Sequence, residues 1–414
     1  MRFSLTTLIF TILCVSTSAT KPPVFGVSNK ASLIHAPKSA SNKVAESSSY
    51  PEVSIMDEAL STTTTTTTTA IVEGDDSKDK IQIRGGATTS SNLVENLTIC
   101  FYFLAWYALN VIYNIVNKKV LNTLPAPLMV GSFQFLVGGL YCSLVWFVGL
   151  RPMPKLTSTG KNAVRNVGFY HAFGQLATMV SLGAGAVSFT HIVKAMEPFF
   201  SAMVSGLYFN KWMKTPVYLT LIPVVGGVGY ACLKELNFSW LAFGAAMSSN
   251  LFFALRAVMS KLALQSGDSG TNLTPPNMFG MVTWAAFFIS IPVALLGEGK
   301  TIVGLWKDAL ASVDNQSKFV QSLVLSGLSH YLNNEVMYLA LGKVHPVTLA
   351  VGNTMKRVFI LVASIMVFRN PISVQAGIGS GVGIVGVLLY SLTKQYYESL
   401  EASEAQDKGR KRRA

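Results

Sequence analysis

The chain has 414 residues, half of them hydrophobic and only 13% charged, with a mean hydropathy of +0.42. Those values exclude an ordinary soluble domain and indicate a polytopic membrane protein. The net charge is +13, but much of it lies in loops and in the tail residues Lys408, Arg410, Lys411, Arg412 and Arg413. Basic residues so placed set topology or touch acidic lipid headgroups, which argues against a nucleic-acid partner. The cysteines Cys14, Cys100, Cys142 and Cys232 stand singly, with neither metal-ligand spacing nor a disulfide framework.

Residues 1–19 have a basic start at Arg2, an apolar core from Leu5 to Val15 and small residues up to Ala19. This is the pattern of a secretory signal peptide, with cleavage expected near Ala19 or Thr20. Residues 20–93 are rich in Ser, Thr and Ala, include the run Thr62–Thr69, and cannot bury a core; a disordered presequence is expected. Its first part, Lys21 to Lys43, is basic and carries no acid, as transit peptides do. A signal peptide followed by transit-like sequence points to a plastid membrane, in a plastid bounded by additional membranes; the competing reading is a secretory-pathway protein with a disordered head. A second processing point is expected near Arg84-Gly85-Gly86.

From 94 to 395 the chain reads as one transporter domain, followed by a basic hydrophilic tail over 396–414. Ten apolar segments of spanning length lie near 97–117, 127–149, 164–184, 187–209, 216–233, 239–263, 278–296, 319–341, 346–368 and 373–393. An even count puts both ends of the domain on one side of the membrane, and the basic loop residues Arg151, Lys155, Lys161, Arg165, Lys211 and Lys214 fall on that side. Between the seventh and eighth segments, Leu305, Trp306, Leu310 and Val313 outline an amphipathic interfacial helix. Ala186–Trp212 can be laid over Val344–Pro371 at a displacement of about 159 residues. Five plus five spans place the second half upside down relative to the first, and inverted repeats with a midplane site are a transporter arrangement. The expected fold is an all-α polytopic membrane protein, about ten transmembrane helices in two inverted five-helix halves.

The chemistry gathers in few spans. The ninth, PVTLAVGNTMKRVFILVASIMVF, carries Lys356 and Arg357 side by side in its middle, where each charge costs roughly 2.5–3.5 kcal/mol on insertion scales. Such a pair is either neutralised by carboxylates elsewhere or forms an anion site in a wet cavity. Glu197 and Glu335 are the acids clearly inside apolar segments, which favours the anion site. The fourth span places Thr190, His191, Lys194 and Glu197 at helical spacings of three and four, hence on one face. Lys194 and Glu197 could simply pair, or face Lys356 and Arg357 across a shared cavity, where Arg offers phosphate a planar fork and Lys a point charge. His171, Gln175 and Thr178 share a face of the third span. Tyr331, Asn333, Asn334 and Glu335 make the eighth polar enough to line a cavity. Asn110, Asn114, Asn117 and Lys118 in the first span, and Ser249, Arg256 and Ser260 in the sixth, carry charges nearer the helix ends, where gate ion pairs or snorkelling are expected. No nucleophile, acid/base pair, nucleotide loop or metal motif appears, so neither an enzyme nor a cofactor is expected.

The stretches WYALNVIYNIVNKKVLN, VSFTHIVKAMEPFFSA and VGNTMKRVFILVASIMVFRNPIS resemble the plastid sugar-phosphate/phosphate translocators of the drug/metabolite transporter superfamily, over roughly 98–395. The resemblance implies ten helices in two inverted halves and exchange of inorganic phosphate for a phosphorylated C3, C5 or C6 metabolite. It implies that Lys194, Lys356 and Arg357 hold the phosphate group, with Thr178 contributing a hydroxyl. Two positions depart from the family pattern. Gln175 stands where members often have His, and Asn333-Asn334-Glu335 where Tyr commonly precedes Asn-Gln, which bears on the organic part of the cargo. The substrate-binding set expected is Lys194, Lys356, Arg357, Thr178, Gln175, His191 and Asn333. The expected cargo is phosphate with triose phosphate, 3-phosphoglycerate or phosphoenolpyruvate; the alternative is another sugar phosphate, or a nucleotide sugar in plastid or secretory-pathway membranes.

Overall fold

The computed structural model describes residues 87–210, 212–236, 238–265, 269–341, 346–369 and 372–413. The expected signal peptide, and the presequence up to residue 86, lie outside the described residues. Gly85–Tyr397 forms one compact unit.

Its helices are α1 (Ala87–Thr123), α2 (Pro127–Phe147), α3 (Ser158–Ala184), α4 (Val187–Lys194), α5 (Glu197–Phe209), α6 (Thr215–Leu219), α7 (Leu221–Leu233), α8 (Trp240–Gln265), α9 (Pro275–Glu298), α10 (Ile302–Ala311), α11 (Gln316–Leu341), α12 (Pro346–Phe368) and α13 (Val374–Arg413). Taken with α4–α5 and α6–α7 as two broken spans, and α10 aside, they match the ten apolar segments one for one. α1 begins inside the stretch expected to be disordered, because extending an existing helix needs no new nucleus. By length and composition, seven of the described helices are apolar enough to cross a membrane. Of the spans that fall short, α3 and α11 are rich in polar side chains, and α4–α5 is divided into helices of 8 and 13 residues.

Two spans that read as continuous in the sequence are interrupted. Pro198 has no N–H for the carbonyl of Lys194, so α4 ends there. The chain tightens through Ala195 N–H to Ile192 O and Met196 N–H to Val193 O, both 3.0 Å, before α5 starts at Glu197. Pro223 likewise cannot bond the carbonyl of Leu219, and the span divides at Thr220.

The packing is reciprocal between halves. The third span, α3, packs mainly on the sixth, α8, and the eighth, α11, mainly on the first, α1. The second and seventh spans, α2 and α9, pack on each other. That is the pattern expected when first and sixth, second and seventh, and third and eighth spans are related by a twofold axis in the membrane plane. Small residues permit the closest approaches. A Cβ on Gly227 of α7 would lie 2.5 Å from the Gly383 nitrogen of α13, and one on Gly379 only 2.7 Å from the Gly227 oxygen.

The membrane side holding both ends of the domain is called here the terminal side, and the opposite one the far side. On the far side, Ile302, Leu305, Trp306, Leu310 and Val313 of α10 and the residues after it pack against a core of Val120, Leu124, Phe319 and Leu323. The expected amphipathic helix therefore lays its apolar face on the bundle. The Glu298 carboxylate accepts from the backbone N–H groups of Leu128 (2.9 Å) and Met129 (2.8 Å), a charge-assisted cap on the N-terminus of α2. On the terminal side, the strand β1 (Lys155–Leu156) pairs antiparallel with β2 (Gly270–Thr271).

Gly227→Val should lower the thermal midpoint of the detergent-solubilised chain by several degrees, since overpacking a close contact costs about 1–3 kcal/mol. Gly226→Val, at a position with nothing within 4 Å of an added Cβ, should leave it unchanged; equal midpoints for the two variants would contradict the α7–α13 contact.

Candidate functional site

The fourth span and its second-half counterpart, the ninth, pack against each other, and their charges meet. Arg357 Nη2 of α12 donates to Glu197 Oε2 at the start of α5, at 2.7 Å. The Arg357 side chain is 14% exposed and that of Glu197 41%, so the carboxylate borders open space while the guanidinium is largely enclosed. The basic pair is thus half neutralised. Arg357 has an acid partner, and the Lys194–Glu197 pairing that spacing allowed gives way to one between the two halves, because the break after Lys194 turns Glu197 toward α12.

Lys194, the last residue of α4, points into the bundle. Its Nζ donates to Ser249 Oγ of α8 (2.7 Å) and Thr178 Oγ1 of α3 (3.1 Å), and the two hydroxyls lie 2.7 Å apart. The same Nζ is 4.5 Å from the Phe253 ring centroid, and the Arg256 guanidinium is 5.0 Å from it. One aromatic ring therefore serves two cations, an attraction of about 0.5–2 kcal/mol each. Arg256 Nη1 lies 3.1 Å from His171 Nδ1, and the His171 ring stacks on His330 with centroids 6.1 Å apart. Lys356 Nζ sits 4.8 Å from the Trp106 ring of α1. Among the described residues it has no carboxylate within ion-pair distance.

Of the expected set, Lys194 and Thr178 are in direct contact, and Arg357 joins them through the meeting of the fourth and ninth spans. Lys356 and Arg357 lie within electrostatic reach of both Lys194 and His191. His191 Nε2 is 2.7 Å from Asn114 Oδ1, beside the cluster. Two others are held elsewhere. Gln175 donates its amide N–H groups to Tyr113 OH (2.7 Å) and Gln134 Oε1 (3.1 Å), in a buried chain that continues from Gln134 to Asn117 Oδ1 (2.7 Å). Asn333 donates to the carbonyls of Ser329 (2.8 Å) and His330 (2.9 Å) of its own helix. Thr190, expected on the face of Lys194, bonds Ser181 Oγ at 2.9 Å and ties α4 to α3 instead.

Three further placements differ from expectation. Arg256 lines the cluster and does not snorkel; its signal was the spacing of Ser249, Phe253 and Arg256, one helical face. Lys118 donates to the carbonyls of Leu182 (2.7 Å) and Gly185 (2.9 Å), a cation at the C-terminal end of α3. Glu335 does not line the cluster but pairs with Arg151 at 2.6 Å. Among the described residues no group of His, Cys, Asp and Glu could hold a metal ion.

Inverted helical halves whose counterpart spans converge on an intramembrane cationic cluster define a multi-pass carrier built for an anion. The chain belongs to the Triose-phosphate Transporter family, whose profile matches residues 97–391, and it is a transport protein, not an enzyme. It is 42% identical over 303 residues to the chloroplastic triose phosphate/phosphate translocator of Pisum sativum, covering 73% of this chain and 74% of that one. It is 38% identical over 309 residues to glucose-6-phosphate/phosphate translocator 1 of Arabidopsis thaliana, covering 74% and 78%. It is also 38% identical over 312 residues to phosphoenolpyruvate/phosphate translocator 1 of Oryza sativa subsp. japonica, covering 75% of each.

Phe253→Leu should weaken inorganic phosphate binding by about 2- to 30-fold, the loss of one cation–π platform, read by titration calorimetry on the folded chain. Unchanged affinity would show that the ring takes no part in holding the cations for the anion.

Proposed function

We propose that the chain is an antiporter exchanging inorganic phosphate for a phosphorylated C3 metabolite, triose phosphate with 3-phosphoglycerate and phosphoenolpyruvate as further candidates, across a plastid envelope membrane. One observation carries this reading: where the fourth and ninth spans meet, Lys194, Lys356 and Arg357 against the carboxylate of Glu197 leave an excess of two positive charges inside the membrane, before Arg256 on the other edge of Phe253 is counted. A phosphate or phosphate-monoester dianion balances that excess. Arg357 would grip phosphate oxygens with the guanidinium edge not used by Glu197, Lys194 and Lys356 would act as point charges, and Thr178 and Ser249 would orient the anion by hydroxyl contacts. Arg256, on the far edge of Phe253, is placed to meet a second polar or acidic group of a larger cargo, and its Nε is buried without a partner.

The same electrostatics explain exchange. With the cluster empty, closing the carrier strips water from unbalanced cations, at a cost of several kcal/mol per ion. A bound dianion removes that cost, so passage between facings is coupled to loading. Glu197 moderates the effect by neutralising one cation and does not cancel it. The relatives described above are translocators of triose phosphate, glucose 6-phosphate and phosphoenolpyruvate, and these three cargoes set the assay panel.

Liposomes holding the purified chain should exchange labelled phosphate for triose phosphate faster than for glucose 6-phosphate. Lys356→Ala and Arg357→Ala should each abolish exchange while the thermal midpoint stays close to that of the unaltered chain. Near-normal exchange in either variant would refute the site, and a preference for glucose 6-phosphate would refute the C3 assignment.

A further inference from the structure

Arg151 and Glu335 stand apart from the anion cluster and have no part in the transport reading above. Arg151 belongs to the α2–α3 connection in the first half. Glu335 is on α11 in the second half, roughly 9 Å from that helix's terminal-side end at a rise of 1.5 Å per residue. Their side chains are 6% and 0% exposed, and Arg151 Nη2 donates to Glu335 Oε1 at 2.6 Å. The pair therefore joins the two halves through charges removed from water.

As adhesive such a pair is poor. The Coulomb gain of a buried ion pair is largely cancelled by the desolvation of both charges, and it exceeds that cost only when the remaining polar atoms are satisfied. Here they are satisfied only in part: Arg151 Nη1 and Glu335 Oε2 are buried with no hydrogen-bond partner among the described protein groups, and the Tyr141 hydroxyl stands beside the carboxylate. An apolar contact of the same volume would hold the halves together at least as well. The ion pair differs in what happens when it parts, because both charges then recover full hydration. A contact that is adequate when closed and well solvated when open has two states of similar free energy, which an apolar contact lacks.

Its neighbours close the same side. Trp146 Nε1 donates to Asn277 Oδ1 at 3.0 Å, Asn277 Nδ2 donates to Pro152 O at 2.9 Å, and β1 pairs with β2. The first joins the end of α2 to the start of α9, the second the α2–α3 connection to the start of α9, and the third the α2–α3 connection to the α8–α9 connection, each again one half to the other. α11 is followed in the chain by α12, which carries Lys356 and Arg357, so a displacement of α11 bears on the anion cluster. We propose that the Arg151–Glu335 pair is a latch that holds the terminal side closed and breaks each time the carrier opens toward that side. The latch requires a carrier with two facings and is independent of which anion it carries.

Hydrogen–deuterium exchange of the full chain in lipid nanodiscs tests it, comparing terminal-side segments 150–157 and 269–277 with the far-side segment 126–132. Glu335→Gln and Arg151→Met, each removing one partner, should raise deuterium uptake in the terminal-side segments at least about tenfold and leave 126–132 unchanged. The paired substitution Arg151→Met with Glu335→Leu gives a contact that cannot be hydrated on opening, and should make terminal-side uptake about fivefold slower than in the unaltered chain. Uptake at the unaltered rate in the folded single variants, an equal rise in 126–132, or a paired variant no slower than the unaltered chain would each overturn the latch. Where a single variant is not recovered folded, the paired variant decides.

Discussion

The structure depends on one constraint: like charges placed in the middle of a membrane must be kept from lipid and partly balanced by protein. Lys194, Lys356 and Arg357 meet it by three different means. Arg357 takes the carboxylate of Glu197 from the opposite half. Lys194 takes two hydroxyls and a ring face, and Lys356 the ring of Trp106. None of these partners removes the whole charge. What remains is an excess of positive charge, and the rest of the bundle brings the partners together and shields them.

The arrangement that does so is the inverted repeat. Because the fourth and ninth spans are counterparts, the twofold relation places their inner faces against one another and no extra element is needed to form a site. The relation is approximate where function needs it to be. α4–α5 is broken at Pro198 and α12 is continuous, so one half offers a helix end and a redirected Glu197, and the other offers adjacent cations on an unbroken helix. Apolar packing holds the frame: α7 lies against α13 through glycines, and α10 against the far-side core.

Much of this was legible in the chain itself. The spans follow from runs of apolar residues, because hydrocarbon imposes a fixed length on them, and the Lys356-Arg357 pair stands out because charge at that depth is costly. Pro198 and Pro223 are visible too: each lacks the N–H that a continuous helix needs, which marks where both spans divide. What could not be read is the rotation of each helix among its neighbours. Gln175 and Thr178 share a face of α3, yet Thr178 reaches Lys194 while Gln175 is drawn into the Tyr113–Gln134–Asn117 chain, a choice made by α1 and α2. Arg256 lies toward the end of its own helix, a depth that by itself predicts a peripheral place. Only the packing of α8 on α3 shows that it shares Phe253 with Lys194. Glu335 was read as cavity lining because its partner, Arg151, lies 184 positions away in sequence and in a connection, where no helical period points to it.

The coupling of charge balance to movement is tested most directly by flux into vesicles with nothing to exchange. Purified chain in liposomes would be given labelled phosphate outside, with the interior either empty or loaded with unlabelled phosphate. If an unbalanced cluster resists closure, label enters loaded vesicles and enters empty ones at no more than the leak of protein-free liposomes. Entry into empty vesicles at the loaded rate would show that the unloaded carrier reorients freely, and the electrostatic account of exchange would fall.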